Sequence, residues 1–263
     1  LFKMIEEYVN ENRGGIEKQL RRLGFSLDWS RQKYTLDPEI TKLVYKTFKK
    51  LFDSNLLYRQ TRLVNYCVKH GTAFSDLEVE HVEKISKLYY VKYKIKENKD
   101  EFITIATTRP ETIFGDSGIA VNPKDKRWKK YVGKTAINPL TNKEIPIFKD
   151  KYVKLDFGTG ALKVTPLHDE NDFELGKKHN LENIQIIDFR GKLINTNSKF
   201  EGMKASVARD EIESYLKDNN YLEKVEEFKN SVGTCYKCGN TLEPLPLEQW
   251  FIKAKELAKP AIE

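Results

Sequence analysis

Two short turns of matching spelling, far apart in the chain, constrain its fold more than any other feature. Cys67-x-x-His70-Gly71 and Cys235-x-x-Cys238-Gly239 each offer two soft ligands at the same spacing, followed by a glycine. One such turn supplies half of a tetrahedral zinc site, and the two together make a closed, structural Cys3His set. If they share one ion, the chain between residues 71 and 234 must leave and return to the same point, as an insertion clasped at its root. The alternative stays open: Cys67 is a small core residue and His70 an exposed turn histidine. Three cysteines, an odd number, argue against a disulfide framework and towards thiols or metal.

The segments outside the two turns differ in texture from those inside. Residues 1 to 53 read as helical. The clearest stretch starts at Asp37 as N-cap and Pro38 as first helical residue, carries Ile40, Leu43, Val44, Phe48, Leu51 and Phe52 as a three-four apolar stripe, and stops at Asn55. Residues 56 to 67 alternate loosely as a strand. Inside, residues 87–95 and 101–107 are aromatic and β-branched runs around Asn98-Lys99-Asp100, which predicts a hairpin. Short strands are expected at 118–121, 152–157, 161–165 and 184–189, with helices at about 169–179 and 204–218, and a return strand at 249–252. The predicted fold class is α+β: a β-barrel-rich module inserted between flanking helical and metal-knuckle segments. The expected division is 1–55 helical flank, 56–76 first knuckle half, 77–228 inserted module, and 229–263 second knuckle half and return segment.

Length permits such an insertion, since 263 residues hold one large domain or two ordinary ones. Charge favours a polyanionic partner without requiring one: 46 Lys plus Arg stand against 39 Asp plus Glu, a net +7. No run approaches 18 apolar residues, and the acidic, amphipathic Leu1-Phe2-Lys3-Met4-Ile5-Glu6-Glu7 is unlike a targeting peptide. A soluble, cytoplasmic monomer is expected. Both ends read as cut from a longer chain.

Chemistry concentrates in two runs. Thr107-Thr108-Arg109-Pro110-Glu111-Thr112 closes the second hairpin strand, and residues 157 to 172 run from Phe157-Gly158-Thr159-Gly160 through Lys163 and Thr165 to His168-Asp169-x-x-Asp172. Lys163 and Thr165 share a strand face by period two, and Asp169 and Asp172 share a helix face at i, i+3. A cation, a hydroxyl and two carboxylates therefore converge at one strand-to-helix junction, a set that suits a small zwitterion bearing a hydroxyl. The plainer reading is that the threonines and proline end a strand and that Asp169 caps a helix.

These two runs, together with Arg62-Leu63-Val64-Asn65, Ser75-Asp76-Leu77-Glu78-Val79-Glu80 and Leu23-Gly24-Phe25-Ser26-Leu27-Asp28-Trp29-Ser30-Arg31, resemble the valyl branch of the class I aminoacyl-tRNA synthetases in order and spacing, over nearly the whole chain. Isoleucyl members typically carry Trp and leucyl members Asp after the Arg-Pro pair, where this chain has Glu111. The resemblance implies an inserted editing domain that hydrolyses threonine misattached to tRNA(Val), as the second sieve behind a synthetic site that rejects isosteric threonine poorly. It implies that Arg109, Thr112 and Phe157, with Thr107 and Thr108, surround the terminal adenosine and ester. Lys163, Thr165 and Asp172 would read the threonyl hydroxyl, and Asp169 or Asp172 would hold the ammonium, with no evident nucleophile or general base among them.

This chain departs from the pattern at His70, where metal-binding relatives usually have a second Cys. Neither a His-x-Gly-His nor a Lys-Met-Ser-Lys-Ser run is present, so ATP and Mg2+ are expected only in a full-length enzyme. Competing readings are an isoleucyl or leucyl editing domain, a free-standing hydrolase and a non-catalytic zinc-ribbon RNA-binding module. The last explains neither the Thr-Thr-Arg-Pro-Glu-Thr run nor the paired aspartates.

Overall fold

The computed structural model describes residues 1–155 and 158–262, and not the Lys99 side chain. It divides into two compact units: residues 1–58 with 250–263, and residues 59–249. The first unit holds α1 (Phe2–Arg22), α2 (Pro38–Asp53) and α5 (Ala254–Ile262). Asp37 occupies the N-cap of α2 as expected, but its carboxylate is used elsewhere. It accepts from the Tyr34 amide at 2.9 Å and pairs with Arg13 at 2.7 Å, so no side-chain cap bond forms. Asn55 ends the helix in the left-handed region (φ 56), which lets the Asn55 and Leu56 amides reach back to the Phe52 and Leu51 carbonyls. The apolar stripe of α2 stays largely uncovered: Leu43, Val44, Phe48 and Phe52 are all exposed, although Trp250 sets its ring edge-on to Phe48 and Phe52.

The second unit is built on a seven-stranded sheet. Its strands are β3 (Val79–Ile95), β4 (Asn98–Thr107), β5 (Gly118–Val121), β6 (Thr135–Ile137), β7 (Glu144–Lys149), β8 (Ala161–Val164) and β9 (Leu222–Cys235). They run β4-β3-β6-β7-β5-β8, with β9 on the free length of β3. The predicted hairpin is β3 with β4, in antiparallel register through Val91↔Ile105 and Tyr93↔Ile103. Alternate residues Tyr89, Val91, Tyr93 and Ile95 point inward and are buried, as are Ile103 and Ile105 opposite them. The sheet curls until its end strands β4 and β8 pack together without pairing, so the expected barrel is a half-barrel. A second sheet has the order β10-β1-β2, from β10 (Glu243–Ile252), β1 (Leu57–Cys67) and β2 (Thr72–Phe74).

Two expected strands do not form. Residues 152–155 make a turn, and the rest of that prediction, Asp156 and Phe157, lies outside the described residues. Over 184–189 only the isolated bridge Ile187↔Leu193 forms, because this segment lies in the core through Ile186 and Ile187 without a partner strand alongside. Strand β9 was not legible. It pairs with residues 79–91 of β3 as a long ribbon, much of it exposed on both faces, so no inside and outside alternate in its sequence.

Helices α3 (Glu170–His179) and α4 (Ala205–Asp218) close the half-barrel near their expected positions. Gly176 lets α3 lie against Pro166, whose Cγ would stand 2.6 Å from any added Cβ. Helix α4 buries Ala205, Ala208, Ile212 and Leu216, one stripe at three-four spacing, in the main core. Truncating Ile212 leaves a cavity that packed neighbours fill only in part. Ile212→Ala is expected to lower the unfolding free energy of this unit by about 3 kcal/mol, read by guanidinium denaturation.

Candidate functional site

A cleft of about 400 Å3 opens where β8 runs into α3. Thr107, Thr108, Arg109, Thr112, Lys163, Thr165, Asp169 and Asp172 all line it, so eight of the nine residues singled out for chemistry and binding meet in one place. The ninth, Phe157, lies outside the described residues. His168, Tyr152, Asn171 and Pro244 also line the cleft, and Asp116 stands behind it. Sequence reasoning missed Asp116, because the turn after Arg109 that carries it shows no spacing that ties it to β8.

Asp116 explains why a lysine is tolerated at a buried position of β8. Lys163 and Asp116 are both buried, and the ammonium donates to Asp116 Oδ1 at 2.9 Å, to Thr112 Oγ1 at 2.9 Å and to Thr165 Oγ1 at 2.5 Å. All three protons are thus used. Thr165 Oγ1 donates to Asp116 Oδ1 at 2.6 Å, Tyr93 donates to Oδ2 at 2.5 Å, and Thr112 Oγ1 donates to the Arg109 carbonyl at 2.9 Å. Burial pushes the Asp116 carboxyl up, while Lys163 and the two hydroxyls favour its ionised form.

Arg109 is braced in the same manner. Its guanidinium donates to Glu111 at 3.1 Å, Glu243 at 2.5 Å and the His168 carbonyl at 3.3 Å. Glu111, fully buried, also accepts from Arg209 of α4 at 2.7 Å. Burial opposes the charge on Arg109, and the Glu243 and Glu111 carboxylates outweigh it, so the group stays protonated.

The two aspartates differ. Asp169 is the N-cap of α3, with Oδ1 accepting from the Asn171 and Asp172 amides at 2.9 and 3.1 Å, so the capping role is real. Asp172 is buried, and its Oδ2 accepts from the Thr165 amide at 2.8 Å. Among the described residues Asp172 Oδ1 and Asp169 Oδ2 have no recorded partner, which leaves two acceptor oxygens for a cationic ligand. Burial, with the nearby Asp169 charge, pushes the Asp172 carboxyl up to about 7, against Lys163 and the Thr165 amide.

The knuckle residues form a separate cluster. The ligand atoms of Cys67, His70, Cys235 and Cys238 all lie within 4.8 Å of one another. Cys67 Sγ is 3.7 Å from Cys238 Sγ, and His70 Nδ1 is 3.5 Å from both Cys67 Sγ and Cys235 Sγ. Zn–S and Zn–N bonds of about 2.3 and 2.0 Å at tetrahedral angles give edges of roughly 3.5 to 3.8 Å, so the donor set fits the ion. Each turn closes identically: Gly71 and Gly239, with φ of 64° and 67°, send their amides to the carbonyls of Cys67 and Cys235. Burial opposes ionisation of Cys235, yet the backbone amides of Lys237 and Cys238 hold that thiol down to about 6.

The raised value at Asp172 makes stability depend on pH. The fold favours the protonated form, so stability is fully present below the ordinary carboxyl range and is lost as pH rises through about 7. Asp172→Asn mimics the neutral form. It is expected to be more stable than the parent at pH 8 by on the order of 3 kcal/mol, with the gap closing as pH falls to 4, measured by urea denaturation across that range.

Comparison with known proteins places this geometry. Residues 2–263 match the family model described as tRNA synthetases class I (I, L, M and V). The valine–tRNA ligase of Thermotoga maritima is 46% identical over 98% of this chain, that of Petrotoga mobilis 44% over all of it, and that of Pseudothermotoga lettingae 45% over all of it. This chain spans about 30% of the length of each. With the family model matched from end to end, the chain belongs to the class I tRNA synthetases of the isoleucine, leucine, methionine and valine group.

Proposed function

We propose that the cleft is the editing site of a valine-specific synthetase and hydrolyses threonine misattached to tRNA(Val). The observation that carries this reading is the pair of unpartnered carboxylate oxygens, Asp172 Oδ1 and Asp169 Oδ2, in a cleft whose Lys163 and Arg109 cations are already paired. An aminoacyl ester offers the matching groups: an ammonium for the carboxylates and, for threonine, a side-chain hydroxyl. Valine lacks the hydroxyl and would leave a buried acceptor unmet. Lys163, Thr165 and Thr112 then act as the preset wall against which the substrate lies. Arg109, Thr107 and Thr108 face the adenosine and ribose end.

In this reading residues 77–228 are the editing domain, 56–76 and 229–263 carry the knuckle and the return path, and 1–55 belong to the catalytic domain. The uncovered stripe of α2 supports that last assignment, since an amphipathic face of this kind needs more chain to cover it. ATP and Mg2+ would serve the full-length enzyme elsewhere, and the partner here is the acceptor end of tRNA.

Water adds to the ester carbonyl carbon, the carbonyl electrons move to oxygen, and collapse breaks the bond to the ribose oxygen, which leaves with a proton. The products are free threonine and tRNA. Asp172→Ala is expected to cut threonyl-tRNA(Val) hydrolysis ten- to a hundredfold, since a charge-assisted bond contributes about 1.5 to 3 kcal/mol. Deacylation of threonyl-, valyl- and isoleucyl-tRNA(Val) by the parent chain is the control. Equal rates on all three, or none, exclude the valyl editing assignment, and tRNA binding without any hydrolysis favours the RNA-binding module.

Cys67, His70, Cys235 and Cys238 would hold one zinc ion, whose role is to join the two ends of the insertion, since four protein ligands leave no open position for catalysis. Protein purified without chelator should contain about one zinc per chain. Cys235→Ser should lose it and lower the melting temperature, as followed by metal analysis and calorimetry; a metal-free parent of unchanged stability excludes the site.

A further inference from the structure

His168 stands one residue from the α3 cap, lines the cleft and is 3% exposed. Its backbone is engaged on both sides, the amide donating to Thr165 O at 3.0 Å and the carbonyl accepting from Arg109 Nη1 at 3.3 Å. On the ring, the Ile186 amide donates to Nε2 at 2.8 Å. A backbone N–H only donates, so Nε2 is the bare nitrogen and the proton sits on Nδ1. Nδ1 is buried and has no partner among the described residues. A fold seldom leaves a buried N–H unmet without a ligand or water to receive it.

The ring cannot escape this state by gaining a second proton. Burial, with the Arg109 and Lys163 charges, holds its pKa down to about 3, so the imidazole is neutral across the physiological range. Nor does a neighbour duplicate its role. The Lys163 protons and the Arg109 guanidinium are committed within the protein, Thr107 Oγ1 accepts from the Arg109 amide at 3.1 Å, and a threonine hydroxyl proton has no fixed direction. When ionised, Asp169 and Asp172 only accept. His168 Nδ1–H is thus an uncommitted donor of fixed direction on a residue that lines the cleft.

We propose that the Nδ1–H of His168 binds the carbonyl oxygen of the aminoacyl ester and the oxyanion that this oxygen becomes during hydrolysis. The inference rests on the hydrolytic reading of the cleft. His168 keeps its proton throughout: water supplies the oxygen added to carbon and the proton taken by the departing ribose oxygen. A preset donor aimed at developing charge acts on the transition state more than on the bound ester, so its loss falls on kcat rather than KM.

Two substitutions separate this role from the bond to Ile186. His168→Gln places an amide oxygen where Nε2 was, which retains the acceptor for Ile186 and removes the Nδ1 donor. His168→Asn places an amide N–H near Nδ1 and removes the acceptor. In the intact chain, with threonyl-tRNA(Val), His168→Gln is expected to lower kcat about a hundredfold with KM within about threefold and melting unchanged. His168→Asn is expected to keep kcat within about tenfold of the parent while melting earlier. Parental kcat in His168→Gln, or loss of kcat in both variants with equal loss of stability, overturns the proposal.

Nuclear magnetic resonance on the histidine-labelled parent gives an independent readout. Adding a threonyl-adenosine analogue with an amide in place of the ester should move the His168 Nδ1–H proton downfield and slow its exchange with water. An unmoved proton in the bound complex, or failure of the analogue to bind, overturns the assignment. A parent chain that binds the analogue and shifts this proton but hydrolyses no ester overturns the editing reading instead, and leaves His168 as a carbonyl-binding group.

Discussion

Taking an ammonium such as Lys163 out of water costs several kcal/mol, and a carboxylate such as Asp116 costs as much again. Neither is tolerable alone at these depths, but at 2.9 Å each makes the other possible, and the Tyr93, Thr112 and Thr165 hydroxyls fill the remaining valences. Such a pair adds little net stability; what it adds is position. It joins three pieces of chain that are distant in sequence: Tyr93 in β3, the turn from Thr112 to Asp116, and the end of β8 at Lys163 and Thr165. Moving any one strands a buried charge. The wall of the cleft is therefore set by electrostatics before any ligand arrives.

The arginine brace continues the same logic outward. Glu111 lies between Arg109 and Arg209, and Glu243 closes on Arg109 from β10, so the first residues after β4 are tied both to α4 and to the strand returning from the knuckle. With Lys163 and Arg109 committed in this way, the carboxylates at the start of α3 and the ring of His168 are among the groups of the cleft that retain bonding capacity. That selection gives the site its chemical character: carboxylate acceptors at the start of α3 and a neutral donor on His168.

The knuckle acts at the root of the same unit. Cys67 ends β1 and Cys235 ends β9, and the long β3–β9 ribbon begins at the register pair Val79↔Cys235. Bringing the four ligand atoms within 4.8 Å requires the polypeptide between them to close a loop, and the ribbon provides the paired backbone that does so. The two devices divide the work, one drawing residues 67–70 and 235–238 together at the foot of the β3–β9 ribbon and the other fixing the wall of the cleft.

Much of this was legible in the residues. The matching Cys-x-x-His-Gly and Cys-x-x-Cys-Gly spellings determined that two remote turns have the same shape, because spacing and a left-handed glycine are local properties. The alternation at Tyr89, Val91, Tyr93 and Ile95 and the three-four stripe of α4 determined a hairpin and a helix, because burial on one face leaves a period in the sequence. The runs around Arg109 and Lys163 marked where polar chemistry gathers. What only the tertiary structure decided was which partner each polar group takes. Asp116 carries no local sign of its tie to Lys163, the exposed ribbon of β9 leaves no alternation to read, and the free nitrogen of His168 depends on the amide of Ile186. Hydrogen bonds and buried charges between distant segments have no period in sequence, so their pairing is settled only when the half-barrel curls and brings the segments into contact.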